Sequence, residues 1–158
     1  MRVEYINPFV ESAYSVLTEV LQAEVSRGEL YLKSSAAPVL GVAAIIGLAG
    51  DVEGRVLLDM DKPTAIAVAS GMLQSMDMDP IEELNEMGRA TISELANMIT
   101  GQAVTKLHNL GFKFDLTPPA LVTGDNMEIS NTNVEALIVP MEMPQGKIEI
   151  NVAIRERG

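Results

Sequence analysis

Apolar residues follow two periods along this chain, and the changes from one to the other mark out its elements. Val10, Ala13, Leu17 and Leu21 recur at helical spacing. Asn7-Pro8 stands before them, and an Asn cap followed by Pro is a common helix opening. The pattern predicts a helix from there to about Glu24, with Gly28 beyond its end. Extended segments follow at 29–34, 39–48 and 55–60. The last two are joined by Gly50-Asp51-Val52-Glu53-Gly54, turn chemistry that predicts a hairpin. Pro63 starts a second helix through Ala65, Ile66, Val68, Ala69 and Leu73. A third and longest helix is predicted over 80–110. Asp79 caps it, Pro80 takes its first position, and Glu82 and Glu83 suit the positive end of the dipole; Lys106 and His108 lie near its far end, and Gly111 stops it. Candidate strands then cover 112–116, 120–123, 134–141 and 147–154, with Pro144-Gln145-Gly146 turning between the last two. In the final strand Ile148, Ile150, Val152 and Ile154 alternate with Glu149, Asn151, Ala153 and Arg155, which predicts one buried face.

The two halves of this pattern look alike. Each has a helix and then a hairpin whose second strand opens Gly-basic-apolar, Gly54-Arg55-Val56 and Gly146-Lys147-Ile148. The predicted fold is α/β (α+β): pseudo-symmetric duplicated helix–strand–strand units forming a mainly antiparallel sheet with two long helices packed on it. At 158 residues the chain suits a single domain spanning 1–158.

Composition narrows the function. Apolar residues make up 47 % of the chain, enough for a core. The net charge of −11 argues against nucleic acid and against anionic membrane surfaces, because both need clustered Lys and Arg. With no cysteine there is no disulfide, thiolate metal site or cysteine nucleophile. Glu4 and Glu11 interrupt the start, so no signal peptide is expected there. The most apolar stretch, 38–50, is too short to cross a bilayer and reads as a buried strand. The expected location is the cytoplasm.

On a helical wheel the third helix places Ile81, Leu84, Gly88, Ile92, Leu95, Met98 and Ile99 on one side. Glu83, Glu86, Ala90, Glu94, Asn97 and Gly101 fall on the other. Glu94 and Asn97, three apart, are neighbours pointing the same way. Taken by periodicity alone, such a pair is simply solvated. A carboxylate can also bind a lysine or take part in proton transfer, and an amide can hold a water by one donor and one acceptor. Ala90 and Gly101, small residues on the same face, leave room for a partner to approach.

The run Ser93-Glu94-Leu95-Ala96-Asn97-Met98-Ile99-Thr100-Gly101, then Leu110-Gly111, Asp115-Leu116-Thr117-Pro118-Pro119 and Val122-Thr123-Gly124, resembles the bacterial chemotaxis phosphatase family of CheC, CheX and the flagellar switch proteins. That family's mark is Glu, two residues, Asn on a helix, with a proline about twenty residues on. The single motif, the Thr-Pro-Pro-x-x-Val-x-Gly tail and the length match its CheX branch most closely. The resemblance implies a phosphatase acting on the aspartyl phosphate of a CheY-type response regulator. Asn97 would orient the attacking water and Glu94 would dock on a regulator lysine. Ala90, Gly101, Pro118 and Pro119 would line the partner-binding surface. The regulator would supply its own magnesium ion, so no cofactor of this chain is implied, and a homodimer is. The alternative is a non-catalytic module that docks on a regulator or the flagellar switch. One position departs from the pattern: family members often carry Asp or Ser where this chain has Ala90. Aligning the first helix with the third sets Val16 against Glu94 and Glu19 against Asn97, so one active pair per chain is expected.

Other candidates reduce to structure. His108 lacks the neighbours a metal site needs and reads as a cation at a helix C-terminus. Gly47-Leu48-Ala49-Gly50 and Gly124-Asp125 are not followed by the Lys of a P-loop. Asp77, Asp79, Glu82 and Glu83 lack calcium-loop spacing and read as a cap with a solvated first turn. The ten methionines read mostly as core filler, with 72–78 and Met141-Glu142-Met143 as possible interface segments.

Overall fold

A computed structural model of the chain describes residues 3–33, 39–125 and 136–156. The elements run α1 (Val3–Leu21), β1 (Ser26–Arg27), β2 (Tyr31–Lys33), β3 (Val42–Gly50), β4 (Val52–Met60), α2 (Lys62–Ser75), α3 (Glu86–Asn109), β5 (Phe114–Leu116), β6 (Ala120–Thr123), β7 (Ala136–Met143) and β8 (Gly146–Glu156). The class is the predicted mixed α/β. Ser34 of the predicted 29–34 strand, and 134–135 of the predicted 134–141 strand, lie outside the described residues.

The strands form one antiparallel sheet in the order β1-β7-β8-β4-β3-β5, with β2 also on β7 and β6 also on β3. The two halves share an element order of helix, two short strands, two long strands, with α2 inserted between them. The long strands meet at the centre, where β4 pairs with β8 from Val52↔Glu156 to Met60↔Ile148. The short strands cross over: β1 and β2 pair with β7, while β5 and β6 pair with β3. Gly54 makes the central pairing possible. Its φ of +138° suits glycine, and a Cβ there would come 1.9 Å from the Ala153 carbonyl oxygen.

The helices cover one face of the sheet. Phe9, Leu17, Ile92, Leu95, Ile99 and Leu107 pack there with Leu58, Met60, Ile148 and Ile150 in one large core. The other face is not open either. Leu57 and Ala43 cluster with Val39, and Ala153 with Ala136 and Ile138. The expectation of one buried face on the last strand is therefore corrected: Glu149 and Asn151 are buried too.

Two helix starts also differ from the sequence reading. α1 begins at Val3, so Pro8 lies inside it. Burial of Tyr5 and Phe9 favours the earlier start, and Tyr5 meets the Phe112 ring edge-on at 5.0 Å. Proline there removes a single i→i−4 bond in the second turn of the helix. The helix stops at Leu21 because Gln22 turns to φ +49°. α3 begins at Glu86 instead of Pro80. Its cap is Asn85, whose side chain accepts from Gly88 N–H at 2.9 Å. Residue Ile81 gives both backbone groups to Ser70 of α2: its N–H donates to Oγ at 3.1 Å, and its carbonyl accepts from Oγ at 3.2 Å. Ile81 then folds back over the first turn of α3, where a Cβ on Gly88 would stand 2.5 Å from its Cδ1. The far end follows the prediction. Gly111 at φ +97° donates to His108 O, and Phe112 N–H donates to Leu107 O, a closed C-terminal cap.

Candidate functional site

The site is built on α3, because that helix is held firmly on one side only. Gly88, Ile92, Leu95, Ala96, Ile99, Ala103 and Leu107 are buried. Thr91 and Thr100 would compete with a helix from a free side chain. Here they are buried and bond back to Met87 O and Ala96 O, each at 2.7 Å. Lys106 in the last turn reaches Glu11 of α1 at 3.1 Å, fixing the two long helices at the surface.

Ala90, Glu94, Asn97 and Gly101 come together on the opposite, exposed face, as the wheel predicted. Neither Glu94 nor Asn97 has a side-chain hydrogen bond or ion pair among the described residues. A carboxylate and an amide are thus held side by side on a rigid helix with their polar atoms free. Nothing lies within 4 Å of where a Cβ on Gly101 would sit. In the first half Val16 is buried in the core, so α1 presents no equivalent pair.

Pro118 and Pro119 belong to a different element, the corner between β5 and β6. Thr117 clamps that corner to β3: its N–H donates to Gly47 O at 3.0 Å, and its Oγ1 accepts from Gly47 N–H at 2.8 Å. The two prolines therefore sit at the sheet edge, one exposed and one half-buried. His108 is exposed at the end of α3, its ring 5.2 Å edge-on from Phe114.

Two features escaped the sequence reading. The first is a cleft of about 410 Å³ beside Glu94, lined by Val20 of α1, Met72 of α2, Met76 at the C-cap of α2, and Ala90, Glu94 and Met98 of α3. Its walls come from three helices, so no local pattern announces it; the methionines were the only hint. The second is a carboxylate pair on the sheet face away from the helices. Asp59 (0 % exposed) stands directly across from Glu149 (3 % exposed) in the β4–β8 pairing. One oxygen of Asp59 accepts from Leu40 N–H at 2.9 Å, and the other has no hydrogen-bond partner. Burial pushes Asp59 up to about 6, against the pull of the Leu40 amide, Lys33 and Lys147. The Tyr31 hydroxyl donates to Glu149, and desolvation with that bond raises the Tyr31 pKa. No group of three or more His, Cys, Asp or Glu among the described residues is arranged to hold a metal, and no described helix is long and apolar enough to cross a membrane.

The family model of chemotaxis phosphatase CheX matches residues 42–142. The chain is 26 % identical over 158 residues to the CheY-P phosphatase CheX of Thermotoga maritima, with all of both chains covered. Among solved structures, a chain in the crystal structure of the CheX-CheY-BeF3-Mg complex from Borrelia burgdorferi is 46 % identical, with a TM-score of 0.83 and 98 % of this chain and 100 % of that one covered. A CheC-like superfamily protein from a Shewanella species is 26 % identical, with a TM-score of 0.84, 98 % of this chain and 99 % of that one covered.

Proposed function

The chain belongs to the chemotaxis phosphatase CheX family, and from that premise we propose that it hydrolyses the aspartyl phosphate of a CheY-type response regulator. One observation carries the reading: Glu94 and Asn97 stand exposed and, among the described residues, unpartnered, three residues apart, on a helix anchored along its opposite face. Such a pair enters another protein's active site without first breaking bonds of its own. Asn97 positions a water in line with the phosphorus through its amide oxygen and nitrogen. Glu94 pairs with a regulator lysine and sets the register of the two surfaces. Water oxygen bonds to phosphorus as the bond to the aspartyl oxygen breaks, releasing phosphate and restoring the carboxylate. A magnesium ion held by the regulator would supply charge neutralisation at the phosphoryl oxygens. Positioning and charge stabilisation carry most of such a reaction.

Ala90, Gly101, Pro118 and Pro119 belong to the proposed docking surface. Ala90 and Gly101 let the partner close on the helix. The prolines shape the corner between β5 and β6 at the sheet edge. The same reading includes a homodimer in the cytoplasm, for which light scattering should return twice the mass of one chain.

The test is phosphate release from a phosphorylated CheY-type regulator with magnesium. Wild type should accelerate release well beyond the regulator alone. Asn97→Ala should lose roughly a hundredfold of that acceleration, as expected when a nucleophile is no longer aligned. A variant that keeps the full rate removes Asn97 from the mechanism. A second reading, docking without chemistry, draws on Ala90, which contributes no polar group beside the pair. It predicts tight regulator binding and no acceleration by wild type.

A further inference from the structure

We infer that the cleft between α1, α2 and α3 is a specificity pocket that receives an apolar side chain of the docked regulator, next to the lysine that Glu94 binds. The inference rests on the phosphatase reading, and its basis is the position and lining of the cleft. Glu94 and Ala90 form part of its wall, so a partner seated on Glu94 lies beside its mouth. Val20, Met72, Met76 and Met98 supply an apolar surface of adaptable side chains, and Ser75 and Thr91 complete the wall. Met76 is 57 % exposed, an apolar side chain left in water at the rim. Just past it the chain runs Asp77-Met78-Asp79, all exposed, so the apolar opening carries negative charge on this side and at Glu94. A single large apolar residue flanked by Lys or Arg satisfies both features: the side chain fills the cleft, and the cations meet the acids around it. The Glu–Asn pair would then do the chemistry, while the cleft selects among regulators that all share the same phosphorylated aspartate.

The absence of cysteine makes a clean test available. Met76→Cys carries an environment-sensitive fluorophore at the rim, and Leu32→Cys on β2, also exposed, carries the control. Regulator loaded with magnesium and beryllofluoride should shift the emission of the first to the blue and leave the second unmoved. In kinetics, Met76→Ser should raise KM for the phosphorylated regulator about tenfold with kcat within twofold, the reverse of Asn97→Ala. Thermal unfolding of Met76→Ser should match wild type, since the residue is mostly exposed. If wild type hydrolyses the phosphoryl group but the Met76 probe stays silent and KM does not change, the pocket is wrong and the phosphatase reading stands. If the probe shifts and wild type gives no acceleration, the pocket survives and the catalytic reading fails. If the regulator neither binds nor loses phosphate faster, both are overturned.

Discussion

At the scale of the residue, the face of α3 is shaped by what is missing as much as by what is present. Gly101 is the clearest case. It costs the helix up to about 1 kcal/mol relative to alanine, and no neighbour demands it, since a Cβ there meets nothing. Gly101→Ala should therefore raise the melting temperature by about 2–4 °C. It should also weaken regulator binding, measured as a higher KM, if the partner lies against that turn. A gain in both stability and activity would show that the glycine serves no contact. Asp59 gives a second separable effect. Its carboxyl titrates near 6 when folded and near its ordinary 3.8 when unfolded. The folded state holds the proton more tightly, so stability falls as pH rises from about 4 to 6 and stays reduced above that. Asp59→Asn keeps an acceptor for the Leu40 amide and removes the charge. It should be more stable than wild type by about 1–3 kcal/mol at pH 8 and nearly equal to it at pH 4. Urea midpoints at the two pH values decide this; equal gains at both would assign the effect to packing.

At the scale of the element, α3 shows why a helix start is harder to read than a helix face. The sequence signals a start at Asp79-Pro80, whereas the structure caps the helix at Asn85. Periodicity ran through both, because Ile81 and Leu84 are also apolar and pack against the core. The choice was made by Ser70, fifteen residues before Asn85 in the sequence and on another helix, which takes the backbone of Ile81. No local pattern contains that contact. Asn85→Ala should cost about 1 kcal/mol and fray the first turn, seen as faster amide exchange at 86–89 with little change near Asn97. The exposed pair itself was legible, because a helix 3.6 residues per turn fixes which side each residue takes once the buried side is known. The cleft and the Asp59–Glu149 pair were not, since both arise where distant segments meet. The last strand misled for the same reason: its alternation is real, but polar Glu149 is also buried, where Tyr31 of β2 reaches it.

At the scale of the molecule, the pairing at β4–β8 sets the geometry on which everything else is mounted. Gly54→Ala places a side chain against the Ala153 carbonyl and forces a backbone conformation that alanine resists. The expected loss exceeds 3 kcal/mol and abolishes activity along with the fold, so regulator binding and circular dichroism should fail together. The crossed short strands have a further effect, on the order in which the chain can fold. Among the described residues, β1 and β2 pair with β7 alone, close to the C-terminus. During synthesis the N-terminal half therefore leaves the ribosome with unpaired edges and waits for the rest of the chain. Folding should be slow for a protein of this size, because its sheet closes by contacts between the two ends of the sequence. The same interlock forbids the halves from opening one at a time, so once formed the sheet should unfold in a single step.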